Sequence, residues 1–258
     1  MFKFENSTEY NHAKDDEMRK VPFFNYPGIY TRFKSEFDQI FQDVCSRGAF
    51  ILQHDLLDFE SELADYLNVK HVLGVADGTN AIFLGLQALG IMEGDEIIIS
   101  SHTYVATANA IKMVDASPIF ADIDEHNLLC PKSASLKITS KTKVIMPTQL
   151  NGRCADMAAL RQVADKNKIF LAEDSAQGLG ARYRNEFAGT FGSFGTLSFY
   201  PAKLIGCFGD GGAIMTNDDA LAEKLWSMRD HGRDVAGKVT MWGTNSRLDN
   251  LQAAFLRL

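Results

Sequence analysis

Lys203 lies in the run Ser198-Phe199-Tyr200-Pro201-Ala202-Lys203, and the glycines Gly206, Gly209, Gly211 and Gly212 follow it. A neutral lysine amine attacks carbonyl carbon and forms a Schiff base. A free lysine has a pKa of ~10.4, so about one in a few thousand is neutral at pH 7, and burial or a nearby cation raises that fraction. Pro201 fixes the backbone before the lysine, and glycines after it allow close approach to a ligand. Upstream, Glu173-Asp174-Ser175-Ala176-Gln177 closes the apolar run 169–173. A carboxylate at that strand end is partly desolvated and wants a cation, which a protonated ring nitrogen would supply. An amine and a carboxylate gripping opposite ends of one heterocycle are the minimum equipment for pyridoxal phosphate chemistry. Taken singly, each has a plainer reading: Lys203 as a surface lysine, Asp174 as the cap of a helix or turn.

Two further segments sit at comparable addresses. Gly74-Val75-Ala76-Asp77-Gly78-Thr79-Asn80-Ala81 links a strand to a helix. Free N–H groups and the positive dipole end at such a junction can seat a phosphate. Asp77, Thr79 or Asn80 can equally be an ordinary N-cap. The segment has neither a Walker A pattern nor dinucleotide G-x-G-x-x-G spacing. Tyr104, within Ser100-Ser101-His102-Thr103-Tyr104-Val105-Ala106-Thr107, begins a helix after a strand. It can stack on a flat ring or be a half-buried core tyrosine.

The elements that must position these residues alternate. Apolar runs at 71–76, 96–100, 118–122, 143–147, 169–173, 196–200 and 213–216 read as strands, and 79–90, 104–115, 155–167 and 218–231 as helices. Two amphipathic helices come first, near 30–47 (Phe33, Phe37, Ile40, Phe41, Val44) and 55–67 (Leu56, Phe59, Leu63, Leu67). Strand–helix alternation with near-continuous apolar strands predicts an α/β fold, a mostly parallel central sheet flanked by helices on both faces. Ligands bind such sheets beyond the carboxyl ends of the strands, where all four segments fall. Residues 1–20 read as a mobile tail and 21–258 as the ligand-binding domain. The segment 246–258 reads as a helix with the stripe Leu248, Leu251, Ala254, Phe255 and Leu258, packing back onto the domain or onto a neighbour, or marking a chain cut short.

Composition narrows the classes. A net charge of −7 without a lysine or arginine block argues against nucleic acid as a partner. Cys45, Cys130, Cys154 and Cys207 are scattered, with no C-x-x-C and no Cys/His spacing for zinc, so no metal is expected and reduced thiols are. The first 20 residues have no apolar signal region, and no stretch approaches the ~20 apolar residues of a membrane span. These features predict a cytoplasmic protein.

Six segments occur in a telling order: Gly78-Thr79-Asn80-Ala81, Thr103-Tyr104-Val105-Ala106-Thr107, Glu173-Asp174-Ser175-Ala176-Gln177, Ser198-Phe199-Tyr200-Pro201-Ala202-Lys203, Gly209-Asp210-Gly211-Gly212-Ala213 and Asn245-Ser246-Arg247-Leu248-Asp249. Together they resemble the DegT/DnrJ/EryC1/StrS sugar aminotransferases, fold type I pyridoxal phosphate enzymes, over about 21–258. The resemblance implies that Lys203 forms the Schiff base with pyridoxal 5'-phosphate and moves the proton. It implies that Asp174 pairs with the ring nitrogen, Gln177 lies on the phenolic side and Tyr104 stacks on the ring. Thr79 and Asn80 at the Gly78 turn, with Ser198, would hold the phosphate. Asn245 would reach the phosphate of a neighbouring subunit, making a homodimer with shared sites. The implied reaction moves an amine from an amino acid, glutamate by expectation, to a nucleotide-linked keto sugar, for cell-surface polysaccharide or lipopolysaccharide amino sugars. Lys203 in place of histidine argues against the dehydration run by some relatives; a silent, truncated cofactor-binding protein is the other alternative. The small C-terminal domain of the family is absent from this sequence. Gln149-Leu150-Asn151-Gly152 replaces the common His-Leu-Tyr-Gly, and His102 is also unusual, so both are expected to face the sugar.

Overall fold

The computed structural model describes residues 21–258; the tail expected at 1–20 lies outside the described residues. The chain runs α1 (Tyr26–Arg32), α2 (Lys34–Arg47), α3 (His54–Leu67), β1 (His71–Val75), α4 (Gly78–Ala88), β2 (Glu96–Ser100), α5 (Val105–Met113), β3 (Ser117–Ala121), α6 (Pro131–Leu136) and β4 (Thr142–Met146). It continues through α7 (Met157–Asn167), β5 (Phe170–Leu171), β6 (Glu173–Asp174), β7 (Arg182–Tyr183), β8 (Glu186–Phe187), β9 (Gly195–Ser198), β10 (Gly212–Thr216), α8 (Asp219–Met228) and α9 (Asn250–Leu256).

The strands pair in the orders β3-β2-β4-β5 and β6-β9-β10-β1. Segment 170–175 joins the halves, because its N–H groups alternate between neighbours. Ala172 and Asp174 donate to Ile145 and Pro147 on one side, and Glu173 and Ser175 donate to Phe194 and Thr196 on the other. The expected strand at 169–173 is thus shared between two partners and extends to Asp174. β2, β3, β4 and β5 pair in parallel, as do β6 and β9, while β10 runs against both β9 and β1. The mostly parallel sheet stands, with β10 the reversed strand among the described residues.

The continuous apolar strands follow from burial on both faces. Leu73, Val75, Ile97, Ile99, Val144, Met146 and Ile214 pack in one core with α4, α5 and α8. Their neighbours in sequence point the other way: Ile98 and Ile145 pack with α6 and α7, and Val72, Ala213 and Met215 with α3 and α9. Side chains alternate across a strand, so both parities must be apolar where helices cover both faces. Full burial of one such isoleucine stabilises the fold by roughly 1.5–3 kcal/mol.

One expectation is revised and one left open is resolved. The helix foreseen at 30–47 is two helices, because Phe33 takes a non-helical backbone (φ −119, ψ 30). Asn25 caps the first and a proline sits in its opening turn. Of the expected stripe, Phe37 and Val44 are buried, while Phe41 is exposed. The C-terminal helix docks on the domain: Leu248 and Ala253 join the α3 core, and Asn250 accepts from Leu56 N at 2.9 Å and donates to Ala49 O at 2.7 Å. α6 and the β7–β8 hairpin had no periodic signal, being two to six residues long. Among the described residues no helix is long and apolar enough to cross a membrane.

The start of β9 has no room for a side chain. A Cβ on Gly195 would lie 2.1 Å from the Gly189 carbonyl oxygen, a backbone atom that cannot swing aside. Gly195→Ala is therefore expected to destabilise the protein by about 1–3 kcal/mol or more, read as a lower urea midpoint at unchanged m-value. An unchanged midpoint would show that the 189–195 loop yields freely.

Candidate active site

Consecutive carboxylates at the end of the central strand point to opposite faces and meet opposite fates. Glu173 is fully buried on the α7 side. Its carboxylate accepts from Gln149 Nε2 (2.7 Å), Gly189 N (2.8 Å), Phe191 N (2.7 Å) and Gly192 N (3.1 Å). Burial pushes its pKa up and these donors pull it back. Its task is to tie down the 187–193 loop.

Asp174 faces the α4–α5 side and is 4% exposed. Its Oδ2 accepts from Thr107 Oγ1 at 2.6 Å and its Oδ1 from Ala176 N at 3.1 Å. Burial raises its pKa; Thr107, the Ala176 N–H and the charge of Lys203 oppose the rise. Lys203 is half-buried in the turn that follows β9, where its N–H donates to Tyr200 O at 2.8 Å. Burial lowers its pKa, and the charge of Asp174 works the other way. Each group therefore lies within the field of the other. The amine has no hydrogen-bond partner among the described residues. Cys207, nearby in sequence, is no rival nucleophile, because burial and the charges of Asp210 and Asp249 push its thiol up to about 12.

A second cluster forms where α4 starts. Asp77 caps the helix, accepting from Asn80 N at 2.8 Å and from Asn80 Nδ2 at 2.6 Å. The Asn80 carboxamide is thus already tied to the cap. A Cβ on Gly78 would sit 2.9 Å from Ser198 Cβ, so Ser198 lies directly against the helix start. Gly212 is held equally close, with an added Cβ 2.5 Å from the Asp77 carbonyl carbon. Gly78 N and Thr79 N have no acceptor among the described residues. Two free N–H groups at a positive dipole end, beside the Ser198 and Thr79 hydroxyls, form a cradle for an anion.

The remaining expected residues are more open. Tyr104 precedes α5 and is 71% exposed. Gln177 is exposed, and its Oε1 accepts from Asn151 N at 3.2 Å. Asn245 is exposed and bridges to Asp230 through backbone alone, while the next residue, Ser246, accepts from Ala76 N at 3.3 Å beside the anion cradle. Gln149 is corrected. It is fully buried on the Glu173 side, with Oε1 accepting from Ala155 N at 2.8 Å, so its carboxamide is engaged within the protein and does not face a sugar. His102 is exposed. Thr103, Thr107, Thr148 and Glu173 were not singled out from sequence. The i, i+4 spacing of Thr103 and Thr107 was the available hint. No group of three or more His, Cys, Asp or Glu able to hold a metal occurs among the described residues.

The donor set fits pyridoxal phosphate: a cradle for the phosphate, a buried carboxylate for the ring nitrogen, and an unpartnered amine within its field for the carbonyl. Residues 31–258 match the DegT/DnrJ/EryC1/StrS aminotransferase family, and the chain belongs to that family. It is 41% identical to the dTDP-3-amino-3,4,6-trideoxy-alpha-D-glucose transaminase of Streptomyces venezuelae over 243 residues, 94% of this chain and 64% of that protein. It is 39% identical over 237 residues to the UDP-2-acetamido-2-deoxy-3-oxo-D-glucuronate aminotransferase of Pseudomonas aeruginosa, 92% of this chain and 66% of that protein. The crystal structure of S. venezuelae DesV in complex with a ketimine intermediate superimposes with a TM-score of 0.90 at 41% identity, covering 93% of this chain and 65% of that one. The chain thus spans about two thirds of the length of these relatives.

The raised pKa of Asp174 has a signed consequence for stability. An acid whose folded pKa is raised favours the fold below its unfolded pKa, near 3.8, and loses that contribution as pH rises through its folded value. Asn carries no such term. In cofactor-free protein, the stability of Asp174→Asn relative to wild type should therefore increase from about pH 4 toward neutrality, as read by urea unfolding. A flat or falling difference would contradict the desolvation of Asp174.

Proposed function

We propose that this chain forms the cofactor-binding part of a pyridoxal phosphate-dependent sugar aminotransferase. The single observation that carries this is that buried Asp174 and half-buried Lys203 lie within each other's field with no hydrogen bond or ion pair between them, while Ser198 packs against the Gly78 turn. The names of the S. venezuelae and P. aeruginosa relatives support a nucleotide-linked keto sugar as the amine acceptor. An amino acid, glutamate in our reading, is the donor and leaves as its 2-oxo acid. The amino sugar product would serve cell-surface polysaccharide or lipopolysaccharide synthesis, in the cytoplasm.

Bound pyridoxal phosphate supplies an electrophilic carbonyl and a ring that withdraws electrons from the reacting carbon. The protein's residues do the rest. Lys203 would hold the carbonyl end through its neutral amine with loss of water and, once the donor's amine displaced it, its Nζ would take a proton from the donor's α-carbon and later return one to the sugar carbon. Burial lowers the pKa of the amine against the charge of Asp174 and so enlarges its neutral fraction. Asp174, ionised and out of water, keeps the ring nitrogen protonated. Tyr104 would cover one ring face and Gln177 would border the phenolic side. Thr79 and Ser198 would hold the phosphate, with Asn80 steadied against Asp77. Asn245 would reach the phosphate held by a second copy of the chain, in a homodimer.

The expected result with added pyridoxal phosphate is a visible absorption band that Lys203→Ala abolishes and that glutamate bleaches, with a nucleotide-linked keto sugar restoring it. A bound cofactor whose band ignores glutamate would contradict the transaminase reading. Mixed dimers of Lys203→Ala and Asn245→Ala subunits should regain one intact site and hence tight binding at half occupancy. No recovery in the mixture would mean that each site is built within one chain.

A further inference from the structure

Three threonine hydroxyls form a single file that ends on Asp174. Thr148 Oγ1 lies 2.7 Å from Thr103 Oγ1, Thr103 Oγ1 lies 2.7 Å from Thr107 Oγ1, and Thr107 Oγ1 lies 2.6 Å from Asp174 Oδ2. Thr107 is 0% and Thr148 4% exposed, and Thr103 is half-buried. Each hydroxyl has one proton. An ionised carboxylate only accepts, so the Thr107 proton must point to Oδ2. The Thr107 lone pairs are then free to accept only from Thr103, and Thr103 in turn accepts from Thr148. The direction of the whole file is set by the charge state of Asp174. A protonated Asp174 donating from Oδ2 would reverse all three bonds.

We infer that Thr107, backed by Thr103 and Thr148, is a positioning device that aims Asp174 and holds it ionised toward a cationic ring. The inference rests on the role proposed for Asp174 above. The file laces four segments: the loop after β4 at Thr148, the loop after β2 at Thr103, the first turn of α5 at Thr107, and β6 at Asp174. Thr148 and Asp174 are also joined by a parallel backbone bridge. Hydrogen bonds in a chain polarise one another, and a donor aimed at a charged acceptor is stronger than a neutral pair. Thr103 and Thr107 bracket Tyr104, so the same bonds that fix the carboxylate also fix the loop bearing the exposed aromatic ring. Lys203 is the charged group whose field reaches Asp174. Glu173 points to the opposite face and does not enter the file.

The test reads the carboxyl itself. In cofactor-free protein labelled with carbon-13 at aspartate, the Asp174 signal, assigned by its loss in Asp174→Asn, is titrated by NMR. Thr107→Val should raise the Asp174 pKa by about one unit or more, since it removes a donor to the charged form. Thr107→Ser, which keeps the hydroxyl, should restore it. Thr103→Val should give a smaller rise, and Thr103→Val combined with Thr107→Val should match Thr107→Val alone, because the file is already cut. The dissociation constant for pyridoxal phosphate should weaken about tenfold in Thr107→Val and recover in Thr107→Ser. An unchanged Asp174 pKa in Thr107→Val, or a Thr107→Ser variant that behaves like the valine, overturns the inference. If Thr107→Val does not fold, the Thr103→Val titration decides alone: no rise overturns it. Normal cofactor binding by Asp174→Asn would instead remove the proposed role of Asp174, whatever the threonine variants show.

Discussion

Asp174 is a carboxylate that has left water at the carboxyl end of the central strand, and a carboxylate in that position must be answered by donors and by a cation. The protein supplies two donors, Thr107 Oγ1 and Ala176 N, and brings the field of Lys203 to bear from the turn after β9. What it does not supply is a direct ion pair. A ring carrying a proton at one end and a carbonyl at the other would satisfy both groups at once. The flanking features take their meaning from that demand, including the free N–H groups at the start of α4, Ser198 against Gly78, and the open face of Tyr104.

The neighbouring carboxylate makes the point by contrast. Glu173 is equally desolvated, yet four donors close around it and leave nothing for a ligand. Strand alternation sends the two acids to opposite faces. One locks the 187–193 loop against Gln149, and the other has two donors but no ion-pair partner. A desolvated carboxylate in the field of an unpaired amine is a candidate binding site.

Local signals carried much of this into the sequence. The strand ends at 76, 100 and 173, the proline before Lys203 and the glycine turn at Gly78 are features of adjacent residues, and they pointed to Lys203, Asp174 and the start of α4. What stayed hidden is non-local. Thr107 and Asp174 are 67 residues apart and Thr103 and Thr148 are 45 apart, and no periodicity marks residues that meet only because β4, α5 and β6 converge. Gln149 misled for the same reason. Its departure from the family pattern suggested a substrate contact, but its carboxamide turns inward onto Glu173 and the Ala155 N–H. The break at Phe33 escaped because its apolar spacing continues across it while the backbone does not.

The central claim is that Asp174, held ionised, keeps a ring nitrogen protonated opposite Lys203. Nitrogen-15 NMR of the protein loaded with pyridoxal phosphate labelled at the ring nitrogen reads this directly. The account predicts the shift of a protonated pyridinium throughout neutral and mildly alkaline pH. The shift of a neutral pyridine nitrogen, unaffected by Asp174, would contradict it.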